Sequence, residues 1–353
     1  MIRTITSWHL VRILSAQFSK LHIFFKSRIL KKVKARFLYL EVTHRCNLRC
    51  ITCYTGAGVE KDNALTLEEK KSIIRQAKEM GVRTVSLSGS GEPLLYKHLF
   101  DLIDYIRKLG MSVIIFTNGT LIDKKIATSL VARDVLVFFK LYSLDPEVFD
   151  RMVGHPKAYR WVQYRYSVNN SDRVQHIPSG LKALLDAQQA SGRSNLVKVE
   201  SLITKMNVNT LPEVAAFCRE TGIGFFLETL VFKGKAIQNY EQVGVNAAEY
   251  KTLYQKMAAI WGEEYMMASL NGSCSVEQNP VVWTDGSIGL CSSRQSDIGN
   301  VRSVPLKVLF LKAKKLKQKE DRIIERHAKS SLYFRTCHSR QYCQLKHNLP
   351  CDY

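Results

Sequence analysis

From Phe37 onward, short apolar runs alternate with amphipathic stretches. That rhythm is the sign of repeated strand–helix units around a parallel sheet, an α/β fold. The runs predict strands at Leu38 to Thr43, Thr84 to Ser88, Ser112 to Thr117, Val135 to Leu141, Val197 to Ile203 and Gly224 to Glu228. Apolar residues at helical spacing predict helices near Leu65 to Met80, Lys97 to Leu109, Ile122 to Val131, Leu181 to Gln189 and Leu211 to Thr221. Several of these open on Thr, Ser or Asp and close on Gly. The stretch Lys157 to Ser179 is polar, rich in aromatics and longer than an ordinary connection. It reads either as a substrate-facing loop or as an insertion. After Lys235 the rhythm breaks, and one long helix, Ala247 to Trp261, leads into a cysteine-bearing tail. The pattern therefore predicts three parts: residues 1–36, a core at 37–235 and a smaller domain at 236–353.

The first part has its own pattern. Leu10, Leu14, Phe18, Leu21, Phe25 and Ile29 recur at three- and four-residue steps, which places them on one stripe of a helix. Residues 1–40 hold no acidic side chain, whereas Arg3, Arg12, Lys20, Lys26, Arg28, Lys31, Lys32, Lys34 and Arg36 are basic. Such a helix either lies on an acidic membrane surface or packs its stripe on the main domain and turns its lysines to water. The formal net charge of +21 over 353 residues raises the question of nucleic acid. Neither this basic run nor Lys312 to Lys319 is interleaved with stacking aromatics, so nucleic acid ranks low and the second run reads as a solvated helix face. No run of 18 apolar residues is present, so no bilayer-spanning helix is predicted. Nine cysteines, clustered and without a secretory signal, fit thiolate ligation in a reducing, cytoplasmic setting, with peripheral membrane contact left open by the basic helix.

Candidate chemistry begins with Cys46-Asn-Leu-Arg-Cys50-Ile-Thr-Cys53, directly after the first predicted strand. An iron–sulfur cubane wants a thiolate on every iron, so a loop that supplies three leaves one iron open to a ligand other than protein. Structural zinc sites favour closed sets of four, and a disulfide framework would not crowd three thiols into one short loop. The stretch Glu41-Val-Thr-His-Arg-Cys46 to Cys53-Tyr54 resembles the signature of radical S-adenosylmethionine (SAM) enzymes. The resemblance implies a partial (β/α)6 barrel and a [4Fe–4S] cluster held by Cys46, Cys50, Cys53 and SAM itself. It also implies reductive cleavage of SAM to a 5′-deoxyadenosyl radical that takes a hydrogen atom from substrate, with the electron coming from a donor such as flavodoxin or ferredoxin.

Further motifs are placed by the same resemblance. Ser88-Gly-Ser-Gly-Glu92-Pro93 is similar to the family's GGEP motif, with Ser90 in place of the first glycine, which makes Ser90, Gly91, Glu92 and Pro93 candidates for the SAM amino group. Thr117-Asn118-Gly119 looks like the family's TNG, although a plain turn would also read so. Lys140 and Ser143, ending the fourth strand, are candidates for the SAM carboxylate and ribose. Glu228, ending the sixth, is a candidate for contact with SAM or substrate, or a capped surface acid. The position before the third cysteine is usually aromatic in the family and here is Thr52, so stacking on adenine must come from elsewhere, with Tyr54 the nearest aromatic residue. Cys218, alone on a predicted helix, reads as a buried structural cysteine.

The tail carries a second set. Cys274, eleven residues on to Gly286-Ser-Ile-Gly-Leu-Cys291, then Cys337, Cys343 and Cys351, resembles the opening of the SPASM and twitch extensions of radical SAM enzymes. Asp285-Gly286 predicts a hairpin turn that brings cysteine-bearing strands side by side. The resemblance implies one auxiliary [4Fe–4S] cluster on Cys274, Cys291, Cys337 and Cys343, with Cys351 able to replace Cys343. A zinc site on the same thiolates is the alternative. Together these features predict a radical SAM enzyme that dehydrogenates or epimerises a small molecule, a glycan or a peptide. The short N-terminal extension lacks room for a separate peptide-recognition module, which tilts the expectation toward a small molecule or lipid-linked glycan. Two alternatives stand beside it: a non-catalytic metal-binding protein that docks on membrane or an acidic partner, and a radical SAM enzyme that modifies RNA.

Overall fold

The computed structural model describes residues 35–88, 90–231, 233–265, 279–291 and 294–327. Eight strands precede the tail: β1 (Phe37–Glu41), β2 (Thr84–Ser88), β3 (Ser112–Thr117), β4 (Val135–Lys140), β5 (Trp161–Val168), β6 (Ser171–Pro178), β7 (Val197–Leu202) and β8 (Gly224–Glu228). All but β5 and β6 lie parallel in one sheet, in the order β1-β2-β3-β4-β7-β8. The helices that return the chain are α1 (Leu67–Glu79), α2 (Leu99–Lys108), α3 (Lys124–Ala132), α4 (Pro146–Val153), α5 (Ser179–Ala190) and α6 (Leu211–Glu220). Local signals set their ends. Thr66 and Glu69 form a reciprocal capping box at the start of α1, and Asp123 and Asp145 cap α3 and α4.

Strand periodicity explains the layering. Leu38, Leu40, Val85, Leu87, Val113, Ile115, Val137 and Phe139 all turn one way and are buried in the main apolar core. Each such side chain contributes roughly 1.5–3 kcal/mol by leaving water. The opposite face carries Phe116, Phe138, Lys140, Lys198, Glu200, Phe226 and Glu228. There Phe116 stacks on Phe138 with centroids 4.6 Å apart, and Phe138 meets Phe226 edge-on at 5.8 Å. The sheet curls far enough for its two ends to meet. The Lys235 N–H, just after β8, donates to the Cys53 carbonyl, after β1, at 3.0 Å. The result is a partial (β/α)6 barrel whose inner face is aromatic low down and charged at the carboxyl ends of the strands.

Strands β9 (Val281–Val282), β10 (Ser287–Cys291) and β11 (Arg294–Asn300) continue this sheet outward from β1, giving nine strands in all. Asp285-Gly286 makes the turn between β9 and β10, with Gly286 at φ +84° and its N–H donating to Trp283 O at 2.9 Å. Short helices α7 (Lys235–Gln238) and α8 (Tyr240–Val243) then α9 (Ala247–Trp261) precede this hairpin, and α10 (Leu306–His327) follows it. On α10 Leu306, Leu309, Phe310 and Ala313 are buried while Lys312 and Lys315 are exposed, as expected of a solvated basic face. The stretch Lys157 to Ser179 is an insertion on the outer layer: β5 and β6 form an antiparallel hairpin. Tyr164 and Tyr166 of the hairpin pack on Phe217 of α6, and the Tyr166 hydroxyl donates to Glu220. No helix among the described residues is long and apolar enough to cross a membrane. The basic helix expected over residues 1–36 lies outside the described residues for all but its last two positions. So do Cys274, Cys337, Cys343 and Cys351 and the side chain of Cys291.

Candidate functional site

The loop after β1 carries Cys46, Cys50 and Cys53, and neighbouring backbone fixes its path. Cys46 N–H donates to Gly58 O at 3.3 Å and Gly58 N–H to His44 O at 2.9 Å, which closes the loop on itself. Arg49 and Ile51 donate to Val153 O and Met152 O, the carboxyl end of α4, at 3.0 and 3.1 Å. From the other side, the Asn239 side-chain amide donates to Ile51 O at 3.0 Å. Two glycines permit these approaches. A Cβ on Gly154, at φ +64°, would lie 2.2 Å from Arg49 O, and one on Gly91 would lie 2.1 Å from Arg45 O.

All three thiols are free and only partly covered. They lie within electrostatic reach of one another, and Lys140 lies within reach of Cys46 and Cys50. Burial pushes the Cys46 thiol up and the Cys50 thiol up to about 12, with Lys140 acting against both. Cys53 goes the other way. Burial acts to raise it, but the Thr55 hydroxyl, 3.4 Å from its sulfur, and the N–H groups of Ala57, Thr55 and Gly56 outweigh burial and hold it below the ordinary thiol value. Among the described residues no three His, Cys, Asp or Glu side chains converge as ligands of a single ion would. A cubane asks for something else, thiolates on three separate irons, which one short loop with three half-covered sulfurs supplies. The donor set therefore fits a cluster with one open iron.

The Ser90 to Pro93 segment sits against this loop. Gly91 N–H donates to Thr43 O at 3.1 Å and Glu92 N–H to Arg45 O at 2.8 Å, so the two loops share backbone hydrogen bonds. Ser90 donates its hydroxyl to Glu41 at 2.6 Å, and its carbonyl accepts from Thr55 at 2.8 Å. The Glu92 carboxylate is buried and engaged on both oxygens, accepting from Leu94 N–H at 3.1 Å, Thr117 Oγ1 at 2.6 Å and Asn118 N–H at 2.7 Å. Glu92 thus ties the end of β2 to the end of β3. Pro93 starts the single turn that follows. Asn118 is similarly engaged: its amide donates to Asn47 at 3.0 Å and its side-chain oxygen accepts from Thr120. Gly119, at φ +73°, leaves room for Phe139, whose ring would lie 2.0 Å from a Cβ there.

Lys140, Ser143 and Glu228 separate. Ser143 is fully buried and occupied by Asp145 N–H, at 3.0 Å, and Thr210, at 3.2 Å. Lys140 and Glu228 share the inner face of the barrel with a residue that sequence reasoning missed, Glu200. Lys140 is the ladder partner of Glu200, and Glu200 is held up near pH 7 by burial, against Lys140 and together with Glu228. The phenols of Tyr54 and Tyr142 border this group and are pushed up, chiefly by burial. Tyr54 therefore turns inward beside the charged set. Cys218 packs in the core between α6 and the sheet. The signal for Glu200 was the alternation Val197-Lys-Val-Glu, with charge on every second residue of a buried strand.

A family model described as the radical SAM superfamily matches residues 40–165. This segment is a radical SAM domain. Fe-coproporphyrin III synthase of Methanosarcina barkeri is similar to it, at 41% identity over 131 residues, 36% of this chain and 32% of that protein. The chain spans from a third to about three fifths of the length of the curated relatives it matches. The radical SAM fold extends beyond the matched segment. Streptococcus suis SuiB bound to precursor peptide SuiA aligns at TM-score 0.60 and 18% identity, over 83% of this chain and 69% of that chain. Native anSMEcpe with bound AdoMet aligns at TM-score 0.58 and 18% identity, over 86% and 88%. The cofactors of a radical SAM domain are a [4Fe–4S] cluster and SAM.

Proposed function

We propose that this chain is an enzyme that cleaves SAM reductively and abstracts a hydrogen atom from an unactivated C–H position, completing a dehydrogenation or an epimerisation. The observation that carries the reading is the placement of the Cys46, Cys50 and Cys53 loop at the carboxyl ends of the strands, beside an inner barrel face charged at its rim and aromatic below. Cys46, Cys50 and Cys53 would hold the cluster, which would supply the electron for reductive cleavage of the sulfur–C5′ bond of SAM. The protein's part is positional. Gly91 and Gly154 let the loop close down, Glu92 locks the ends of β2 and β3 beneath it, and Lys140 offers a cation near the thiolates. The backbone of Ser90 and Gly91 is the proposed contact for the SAM amino group, and Lys140 that for its carboxylate. Flavodoxin or ferredoxin is the proposed electron donor, and Cys274, Cys291, Cys337 and Cys343 the proposed ligands of one auxiliary [4Fe–4S] cluster. The likeness to a peptide-bound relative keeps peptide among the substrate classes, beside a small molecule or glycan.

The test is iron and sulfide content after anaerobic reconstitution, together with 5′-deoxyadenosine release from SAM under a strong reductant. Wild type should hold about eight irons, and a Cys46/Cys50/Cys53→Ala variant about four with no nucleoside release. Zinc in place of iron, with no nucleoside from wild type, would overturn the reading and leave a structural metal protein.

A further inference from the structure

Lys140, Glu200 and Glu228 stand on three adjacent strands, β4, β7 and β8, all on the inner face. Lys140 is the ladder partner of Glu200, and Glu228 lies one step diagonally beyond, two residues past Glu200's own partner Phe226. Glu200 is 8% exposed, and its Oε2 is buried without a hydrogen-bond partner. The groups that face the pair are Lys140 and the phenols of Tyr54 and Tyr142, with Cys50 beyond them. The Lys140 ammonium acts on Glu200, and Glu228 lies within hydrogen-bond reach of the same carboxyl group. A carboxylate oxygen shut from water and left without a donor is costly, and it persists where a ligand supplies the donor.

We infer that the Glu200 and Glu228 pair is the docking point for a basic nitrogen of the substrate, an ammonium or guanidinium whose N–H groups reach the open oxygen of Glu200. The charge count selects a cation over a neutral hydroxyl. Two acidic side chains stand beside the one ammonium of Lys140, and a bound cation supplies a second positive charge. No bond of the substrate is made or broken. Phe226, exposed on the same inner face, offers apolar surface beside the nitrogen. The inference rests on the proposed function and narrows its substrate to one bearing an amine or guanidine.

The experiment uses iron-loaded full-length protein under anaerobic conditions, with putrescine and ethylguanidinium as probes and butane-1,4-diol as the neutral control. Calorimetric titration reads the affinity. Saturable binding of the cations, absence of diol binding, and loss of at least about tenfold in affinity in both Glu200→Gln and Glu228→Gln support the inference. Cation binding that neither variant weakens, equal binding of the diol, or no saturable cation binding overturns it. SAM carries an ammonium and a sulfonium of its own, so the affinity for labelled SAM is measured on the same proteins. A tenfold loss of SAM affinity in Glu200→Gln, with affinity for the cation probes kept, would assign the pair to the cofactor and also overturn the inference. Iron content and far-UV circular dichroism report folding, and if one variant fails to load iron the other carries the comparison. Nucleoside release by wild type separates the two readings. Release without cation binding sinks only the inference, whereas no release sinks the proposed function whatever the cations do.

Discussion

Glu41 closes β1 at the point where three parts of the chain meet. Its carboxylate accepts from the Ser90 hydroxyl at 2.6 Å and from Thr284 N–H, in the turn that leads to β10, at 3.4 Å. Burial raises it to about 7 from an ordinary 4.5, with the Ser90 and Thr284 hydrogen bonds and Lys61 acting against burial. The folded chain therefore prefers this group neutral. Its contribution to stability is full below the unfolded value and is lost as pH rises through 7. The ceiling of that loss is about 3 kcal/mol, and between pH 6 and pH 8 wild type should lose about 1 kcal/mol through this group alone. Glu41→Gln keeps an oxygen for Ser90 and Thr284 but has no proton to lose, so the stability difference between variant and wild type should grow in favour of the variant over that range. Ser90→Ala removes a hydrogen bond that lowers the Glu41 value and should push the transition to higher pH. The assay is urea unfolding followed by circular dichroism at several pH values, before cluster reconstitution, compared as a difference so that other titrating groups cancel. A difference flat within about 0.3 kcal/mol from pH 6 to 8 would refute the argument that burial dominates at Glu41.

Other outcomes follow from the geometry of the site. Gly91→Ala puts a methyl group 2.1 Å from a backbone carbonyl that no side-chain rotation can relieve; it should cost roughly 3 kcal/mol and lower iron loading, and normal loading with normal stability would show that the two loops are not locked together. Glu92→Ala strands the buried donors of Leu94, Thr117 and Asn118 and should cost about 3 kcal/mol in urea unfolding, partly offset because a buried carboxylate is removed; Glu92→Gln should cost about 1 kcal/mol. Wild-type stability in Glu92→Ala together with lost SAM binding would make Glu92 a ligand instead of a brace. Arg302 grips Glu69 at 2.6 and 3.2 Å and donates to Asn63 O and Asp285 O, tying the tail to α1. Because that pair is partly exposed, Arg302→Ala should cost only about 1 kcal/mol, with faster proteolysis in the tail as the more sensitive readout.

The six core strands and five of the six helices between them, all but α4, were legible because each buries one face. An apolar residue at every second place, or at every third and fourth, is a local signal that needs no knowledge of neighbours. The β5 and β6 hairpin was less so. Its alternation along Trp161 to Val168 and its turn at Asn169-Asn170, both at positive φ, are hairpin signals, but both faces carry polar side chains and the register pattern is weak. Candidate ligands followed the same division. Cys46, Cys50 and Cys53 could be read from spacing because one short loop holds all three. The engagement of Glu92, Asn118 and Ser143 in hydrogen bonds between strand ends could not, since their partners lie at the ends or in the loops of other strands and helices.

By itself the sequence determined the strand–helix repeat, the thiol loop after the first strand and the hairpin turn at Asp285-Gly286, since each depends on residues close together in the chain. The tertiary structure alone decided what surrounds them. Lys140, Glu200 and Glu228 come from strands up to 88 residues apart. A charged residue on an alternating strand looks the same whether that face meets water or the inside of a barrel. Curling the sheet until Lys235 meets Cys53 settles the matter, because closure buries Glu200 on the inner face with Lys140 and Glu228 beside it.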